Sequence, residues 1–165
     1  MIKKILIPTD FSIQSLNVLK SALNDLNEGD KVDILMVHGM YTSSNITSLL
    51  YFSKKEIIDT VASDSFRDAC QIIKSKYSSK INSMREEIFT GFTQAAFSNF
   101  MEGNRIDEAV IPQNYQMQLE NKKSFDVTPF IRRSQIKVSE VSWKNDIAAP
   151  ERGQLAEVFV GMANG

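Results

Sequence analysis

Lys3-Lys4-Ile5-Leu6-Ile7-Pro8-Thr9-Asp10-Phe11-Ser12 is the stretch on which the reading of this chain turns. A short β-branched-rich run, Ile5-Leu6-Ile7, is stopped by Pro8. Uninterrupted apolar runs of this kind suit a strand buried on both faces of a parallel sheet, whereas a half-exposed strand alternates. Beyond it, Ser12 is a good helix N-cap. Leu16, Leu19, Leu23 and Leu26 then recur at helical spacing and put one apolar stripe on a helix. Gly29-Asp30 supplies the turn, and Val32-Asp33-Ile34-Leu35-Met36-Val37 reads as a second buried strand closing at His38-Gly39. Strand, helix and strand within the first 39 residues make a βαβ unit, with parallel strands and a right-handed crossover.

Working outward, residues 40–53 are rich in Ser and Thr and read as a loop with a short helix near 46–51. A helical period returns with Ile57, Ile58, Val61, Phe66, Ala69, Cys70, Ile73 and Tyr77. The sequence leaves open whether Ser63-Asp64 divides it, with Asp64 a legitimate N-cap. A strand follows within 81–90, polar at its centre as an edge strand would be. Thr93 caps the next helix, which carries Ala96, Phe97, Phe100 and Met101 and ends at Gly103-Asn104. Ala109-Val110-Ile111 is a short buried strand stopped by Pro112, and 113–123 is a polar loop. Ser124 is read as the cap of a last helix with Val127, Phe130 and Ile131, and Pro129 lies further in than the favoured first position. Arg132 and Arg133 suit its C-terminal end. Ile136, Val138, Val141 and Trp143 form a final strand whose alternation slips near Ser139-Glu140, as at a bulge. The alternating order predicts an α/β fold: a five-stranded parallel sheet with helices on both faces. We divide the chain into a domain over 1–143 and a C-terminal extension over 144–165, which packs on the domain or on a partner chain.

The 165 residues suit one domain with a tail. Nineteen basic against twenty acidic residues give a net charge of -1, which speaks against nucleic-acid binding. One cysteine excludes an intramolecular disulfide, and one histidine excludes two-histidine metal sites. No apolar run approaches the roughly 18 residues of a membrane span, and Ile5-Leu6-Ile7 is too short for a signal-peptide core. The expected compartment is the cytoplasm.

In a doubly wound sheet, ligands bind beyond the carboxyl ends of the strands, at the point where the strand order reverses. Those ends carry Asp10, Ser12, His38 and Pro112, our candidate binding residues. Asp10 either accepts a hydrogen bond from a ligand or caps the following helix with Ser12. A lone His38 at a strand end is more often bonded to backbone than catalytic. Cys70 lies on an apolar stripe and reads as core. No nucleophile–base pair, no paired-carboxylate site and no metal set is visible, so no catalytic residue is assigned. Phosphate cradles need glycines for close backbone approach, yet residues 104–152 contain none.

Three blocks together, KKILIPTDFSIQSLNVLKSAL, VDILMVHGMY and IFTGFTQAAFSNFMEGNRIDEAVIP, resemble the universal stress protein family over about residues 3–143. Asp10 and Ser12 match the family's Asp and Ser after the first strand, and His38 matches the His near the end of its second strand. Gly91 and Asp107 match a Gly after the third strand and an Asp opening the fourth. The resemblance implies a Rossmann-like, adenine-nucleotide alpha-hydrolase-like sheet of order 3-2-1-4-5. It also implies a stress-response role and a homodimer through the last strand. The apolar set of that strand and the tail make that end of the chain the expected interface, and the missing glycines make the expected role a non-enzymatic one. One branch binds ATP through G-x-x-G, nine residues, then G-[ST]. Alignment on DEAVIP puts Pro112, Tyr115, Phe125 and Asp126 at those positions. All four depart from the pattern, so ATP bound in the family's manner is disfavoured and no cofactor is assigned. The alternative is an adenine-nucleotide-binding protein with an altered phosphate loop, in which Asp10 meets the adenosine part.

Overall fold

The computed structural model describes residues 2–41 and 54–142. The expected loop and short helix over 42–53, Trp143 and the extension over 144–165 lie outside the described residues. Strand β1 spans Lys3–Pro8 and β2 spans Val32–Met40, paired in parallel from Lys3↔Val32 to Pro8↔Val37. Their alternate residues enter two separate cores. Ile5, Ile7, Ile34 and Met36 point to one face, and Leu6, Leu35 and Val37 to the other. All seven are buried, which is why the two runs are apolar without alternation.

The first face is covered by helix α1 (Leu16–Asn24) and by the pair α2 (Lys54–Val61) and α3 (Asp64–Lys76). Leu16, Leu19 and Leu23 lie buried at helical spacing, as the stripe predicts. Each contributes about 1.5–3 kcal/mol of hydrophobic stabilisation. Residues 54–76 do form two helices. The cap is Ser63 rather than Asp64, its hydroxyl accepting from the Phe66 N–H at 3.1 Å. Asp64 falls in the first turn, where its charge favours the helix dipole.

Strand β3 (Ile81–Phe89) pairs with β2 at the sheet edge, and α4 (Gln94–Gly103) returns the chain across the second face. Thr93 caps α4 as expected, accepting from the Ala96 N–H at 3.1 Å. Gly91 precedes it because any side chain there would meet Ala96 and the Phe89 ring at 2.8 Å. Strand β4 (Glu108–Pro112) lies on the other side of β1, where Asp107 closes the ladder. Its carboxylate accepts from the Lys4 N–H, and its own N–H donates to the Lys4 carbonyl.

Three details differ from the sequence reading. Ser124 does not cap the last helix. Ser124–Phe125 forms a two-residue strand, β5, antiparallel to β2 at Gly39 and Met40. Helix α5 (Thr128–Arg132) starts later, with Pro129 in its first turn, where a missing N–H costs nothing. Strand β6 (Lys137–Val141) pairs with β4 in unbroken register from Glu108↔Lys137 to Pro112↔Val141, so there is no bulge. The main order is β3-β2-β1-β4-β6, five parallel strands with β5 as a side branch. In the sequence numbering this is the expected 3-2-1-4-5. The order reverses between β1 and β4, with α1, α2 and α3 on one face and α4 and α5 on the other.

Candidate functional site

The turn after β1 is built from its own side chains. The Thr9 N–H continues the ladder to the Val37 carbonyl, and the Thr9 hydroxyl accepts from the Phe11 N–H at 3.0 Å. Asp10 Oδ1 accepts from the Ser12 N–H at 2.9 Å and from the Ser12 hydroxyl at 2.5 Å, an Asx turn that reverses the chain. The Ser15 hydroxyl donates to the Ser12 carbonyl at 2.7 Å. The helix therefore begins at Leu16, after a tight turn over 12–15, rather than directly at Ser12. Phe11 sits at φ 60°, a left-handed conformation unfavourable for an aromatic residue. It holds the Phe11 ring against His38 at 4.8 Å and edge-on to Phe66 at 5.3 Å.

The second oxygen of Asp10 faces the loop that follows β4. Asp10 Oδ2 accepts from the Gln118 N–H at 2.7 Å and from the Tyr115 phenol. The Tyr115 and Ser12 oxygens also lie 2.8 Å apart, so two hydroxyl protons serve three short contacts. With both turned to the carboxylate, Asp10 accepts four hydrogen bonds, two on each oxygen. That is the full capacity of an ionised carboxyl group. Burial first, and then the bond to Asp10, raise the Tyr115 phenol above its ordinary range and keep it a donor.

His38 lies near the end of β2, 3% exposed. Its Nδ1 is 2.9 Å from the Thr9 carbonyl, which only accepts, so Nδ1 carries the proton. Burial lowers its pKa, partly offset by the Thr9 bond and the Asp10 charge. In the neutral ring Nε2 is the acceptor, and the Ser124 hydroxyl donates to it at 2.8 Å. Both nitrogens are thus engaged in holding β1, β2 and β5 together. Cys70 is buried in the first core, and burial pushes its thiol up to about 12, far from a reactive thiolate.

Between these parts lies a cavity of about 520 Å³ at the carboxyl ends of β1 and β2, bordered by the C-terminal end of α2 and by 118–121. Of the four residues picked from sequence, Asp10, Ser12 and His38 line it. Pro112 does not; it is buried in the sheet opposite Val141. Sequence reasoning gave no role to Tyr115, Gln118 or the Ser124–His38 bond. Tyr115 left a trace, a phenol just beyond a strand end in an otherwise polar loop. Gln118 left none, because it acts through a backbone N–H that any residue but proline supplies.

No family model and no curated protein matches the sequence. Solved structures do match. Universal stress protein UspA from Lactobacillus plantarum is similar at a TM-score of 0.53 and 15% identity, over 84% of this chain and 97% of that one. A hypothetical protein whose structure served to assign its biochemical function gives 0.51 and 22%, over 88% and 99%. A universal stress protein in complex with cAMP gives 0.50 and 15%, over 86% and 98%. Coverage is nearly complete while identity is low, and the strand order and reversal point agree with the sequence-based resemblance. The chain has the universal stress protein fold.

Proposed function

We propose that this chain is a non-enzymatic regulatory binding protein of the universal stress protein type, cytoplasmic and homodimeric, which does not hold ATP through a glycine-rich phosphate loop. The observation that carries this reading is what the loop after β4 does instead. Tyr115 and Gln118 fill Asp10, where a ligand would otherwise bond. The other positions of the phosphate pattern are also committed. Pro112 has no N–H, Phe125 packs against Tyr41 at 4.4 Å, and Asp126 accepts from the Thr128 N–H at 2.8 Å. A carboxylate at Asp126 also repels phosphate. The engaged nitrogens of His38 and the raised Cys70 thiol support the non-enzymatic part. For the assembly, β6 ends the sheet, with no strand beyond it among the described residues. An outer strand edge with no partner among the described residues suits pairing with a second copy. Among the described residues, no helix is long and apolar enough to cross a membrane.

Native mass spectrometry with and without ATP and magnesium tests the reading. The expected result is a dimer without a nucleotide adduct. A stoichiometric ATP adduct sinks the central claim, and a monomer at micromolar concentration sinks the assembly. The cavity, together with a structure of the same fold that holds cAMP, favours one alternative, nucleotide binding with an altered phosphate loop. That alternative predicts adenine-nucleotide binding that weakens in Asp10→Ala.

A further inference from the structure

The cavity beside Asp10 is large enough for a small ligand, since such sites commonly run about 300–1,000 Å³. Its lining is of two kinds. Phe11, Ile13, Val61 and Leu119 are apolar, while Ser63, Gln118, Asn121 and Ser124 offer amide or hydroxyl groups. Its charged side chains among the described residues are two carboxylates, Asp10 and Glu120, with no lysine or arginine between them. Phosphate binding needs cations or unspent backbone N–H groups. The N–H groups of Ser12 and Gln118 at the rim are already spent on Asp10. His38 adds no positive charge in its neutral tautomer.

We propose that this cavity takes an uncharged ligand, an apolar ring bearing hydroxyl or amide groups, and discriminates against the same ligand once it is phosphorylated. The inference rests on the reading above, that the loop after β4 is not a phosphate cradle, and it adds the chemical class of what enters. Apolar walls bury the ring, the amides and hydroxyls orient it, and the acidic rim repels anions. A phosphate charge about 4 Å from one carboxylate in water-like surroundings loses about fivefold in affinity. Glu120 is exposed at the mouth, so its contribution can be removed without disturbing the core.

Adenosine, AMP and ATP share one ring and one sugar and differ in charge. Isothermal titration calorimetry of the full chain with each, to millimolar concentration, reads the selection. Adenosine is expected to bind, AMP at least about fivefold more weakly, and ATP more weakly still. In Glu120→Gln the AMP-to-adenosine ratio is expected to narrow. AMP binding as tightly as adenosine overturns the proposal, and so does a ratio that Glu120→Gln leaves unmoved. No adenosine binding overturns the ligand class alone and leaves the ATP-independent reading standing, whereas tight ATP binding overturns both.

Discussion

Two connections meet at Asp10, and they are held in opposite ways. The β1–α1 turn is buried, with Thr9, Asp10, Phe11 and Ser15 all no more than 9% exposed. It ties itself together within seven residues. The loop after β4, over 113–123, is mostly exposed and has few ties to the rest of the fold. The Gln113 N–H donates to the Val141 carbonyl at its start, and the Lys123 carbonyl accepts from the Tyr41 N–H at its end. Between them stand the two bonds to Asp10. Ordering a loop of this length costs about 2 kcal/mol in closure entropy alone. One carboxylate thus serves a permanent turn with one oxygen and a conditional loop with the other. Segments with few buried contacts and exposed backbone open at low free energy, and the loop is of that kind.

The most damaging way to break this contrast is to remove the shared group. Asp10→Ala leaves up to four donors without their acceptor and is expected to cost about 3 kcal/mol, since bonds to a charged partner are the strong ones. For a chain of this size that lowers Tm by about 6–12 °C, read by circular dichroism. A loss below about 1 kcal/mol would show that the turn holds without Asp10. Next comes Gly39→Ala. A Cβ there would meet the Phe125 backbone oxygen at 2.7 Å and its ring at 2.6 Å, so β5 must lift from β2. Overpacking of this sort costs about 2 kcal/mol. Limited proteolysis should then cut 113–123 faster, and an unchanged cleavage rate would mean that β5 does not anchor the loop. Tyr115→Phe removes one hydroxyl from the loop side only. A loss of about 1 kcal/mol is expected. Hydrogen exchange should rise over 113–123 and stay fixed over 9–15; a rise in both would erase the distinction between the two connections.

The same contrast explains what could be read beforehand. Ile5-Leu6-Ile7 and Ile34 to Val37 are legible because burial on both faces leaves those positions apolar without alternation. Thr93 and Asn104 are legible because helix ends have chemical signatures. The Asp10–Ser12 turn closes within three residues, yet the same residue types suit a helix cap, so sequence reasoning starts the helix at Ser12 where the structure starts it at Leu16. The loop's hold on Asp10 spans 105 residues for Tyr115 and 108 for Gln118, and no local pattern encodes such a distance. Ser124 is a good cap by type, so sequence reasoning places β5 in a helix. It is a strand because Gly39 opens room for Phe125 and because His38 takes the Ser124 hydroxyl. Both reasons lie on another strand. The bulge expected in β6 failed for a related reason. Val138 and Val141 break strict alternation, yet pairing with β4 holds the register without an insertion.

The smallest expected effect separates the two connections by pH. His38 is buried and neutral, and burial depresses its pKa below the ordinary value of 6.5. Between the depressed folded value and 6.5, the unfolded chain binds the proton and the folded chain does not, so stability rises with pH across that window. On acidification His38 therefore withdraws stability from about pH 6.5 downward, until the folded ring is also protonated. Protonation leaves the Nδ1–H bond to the Thr9 carbonyl intact, so the turn keeps its tie. It converts Nε2 from acceptor to donor, and the Ser124 hydroxyl has to rotate to accept. The disturbance falls on β5 and the loop end rather than on 9–15. Urea midpoints between pH 7.5 and 5.5, compared with His38→Gln, isolate this share from the carboxylates that titrate lower. A wild-type slope steeper than that of the variant is expected. Parallel slopes would mean that folding leaves the His38 pKa where it is in the unfolded chain, and a wild-type slope shallower than the variant's would mean a ring held charged; either result would sink the reading of a buried, neutral His38.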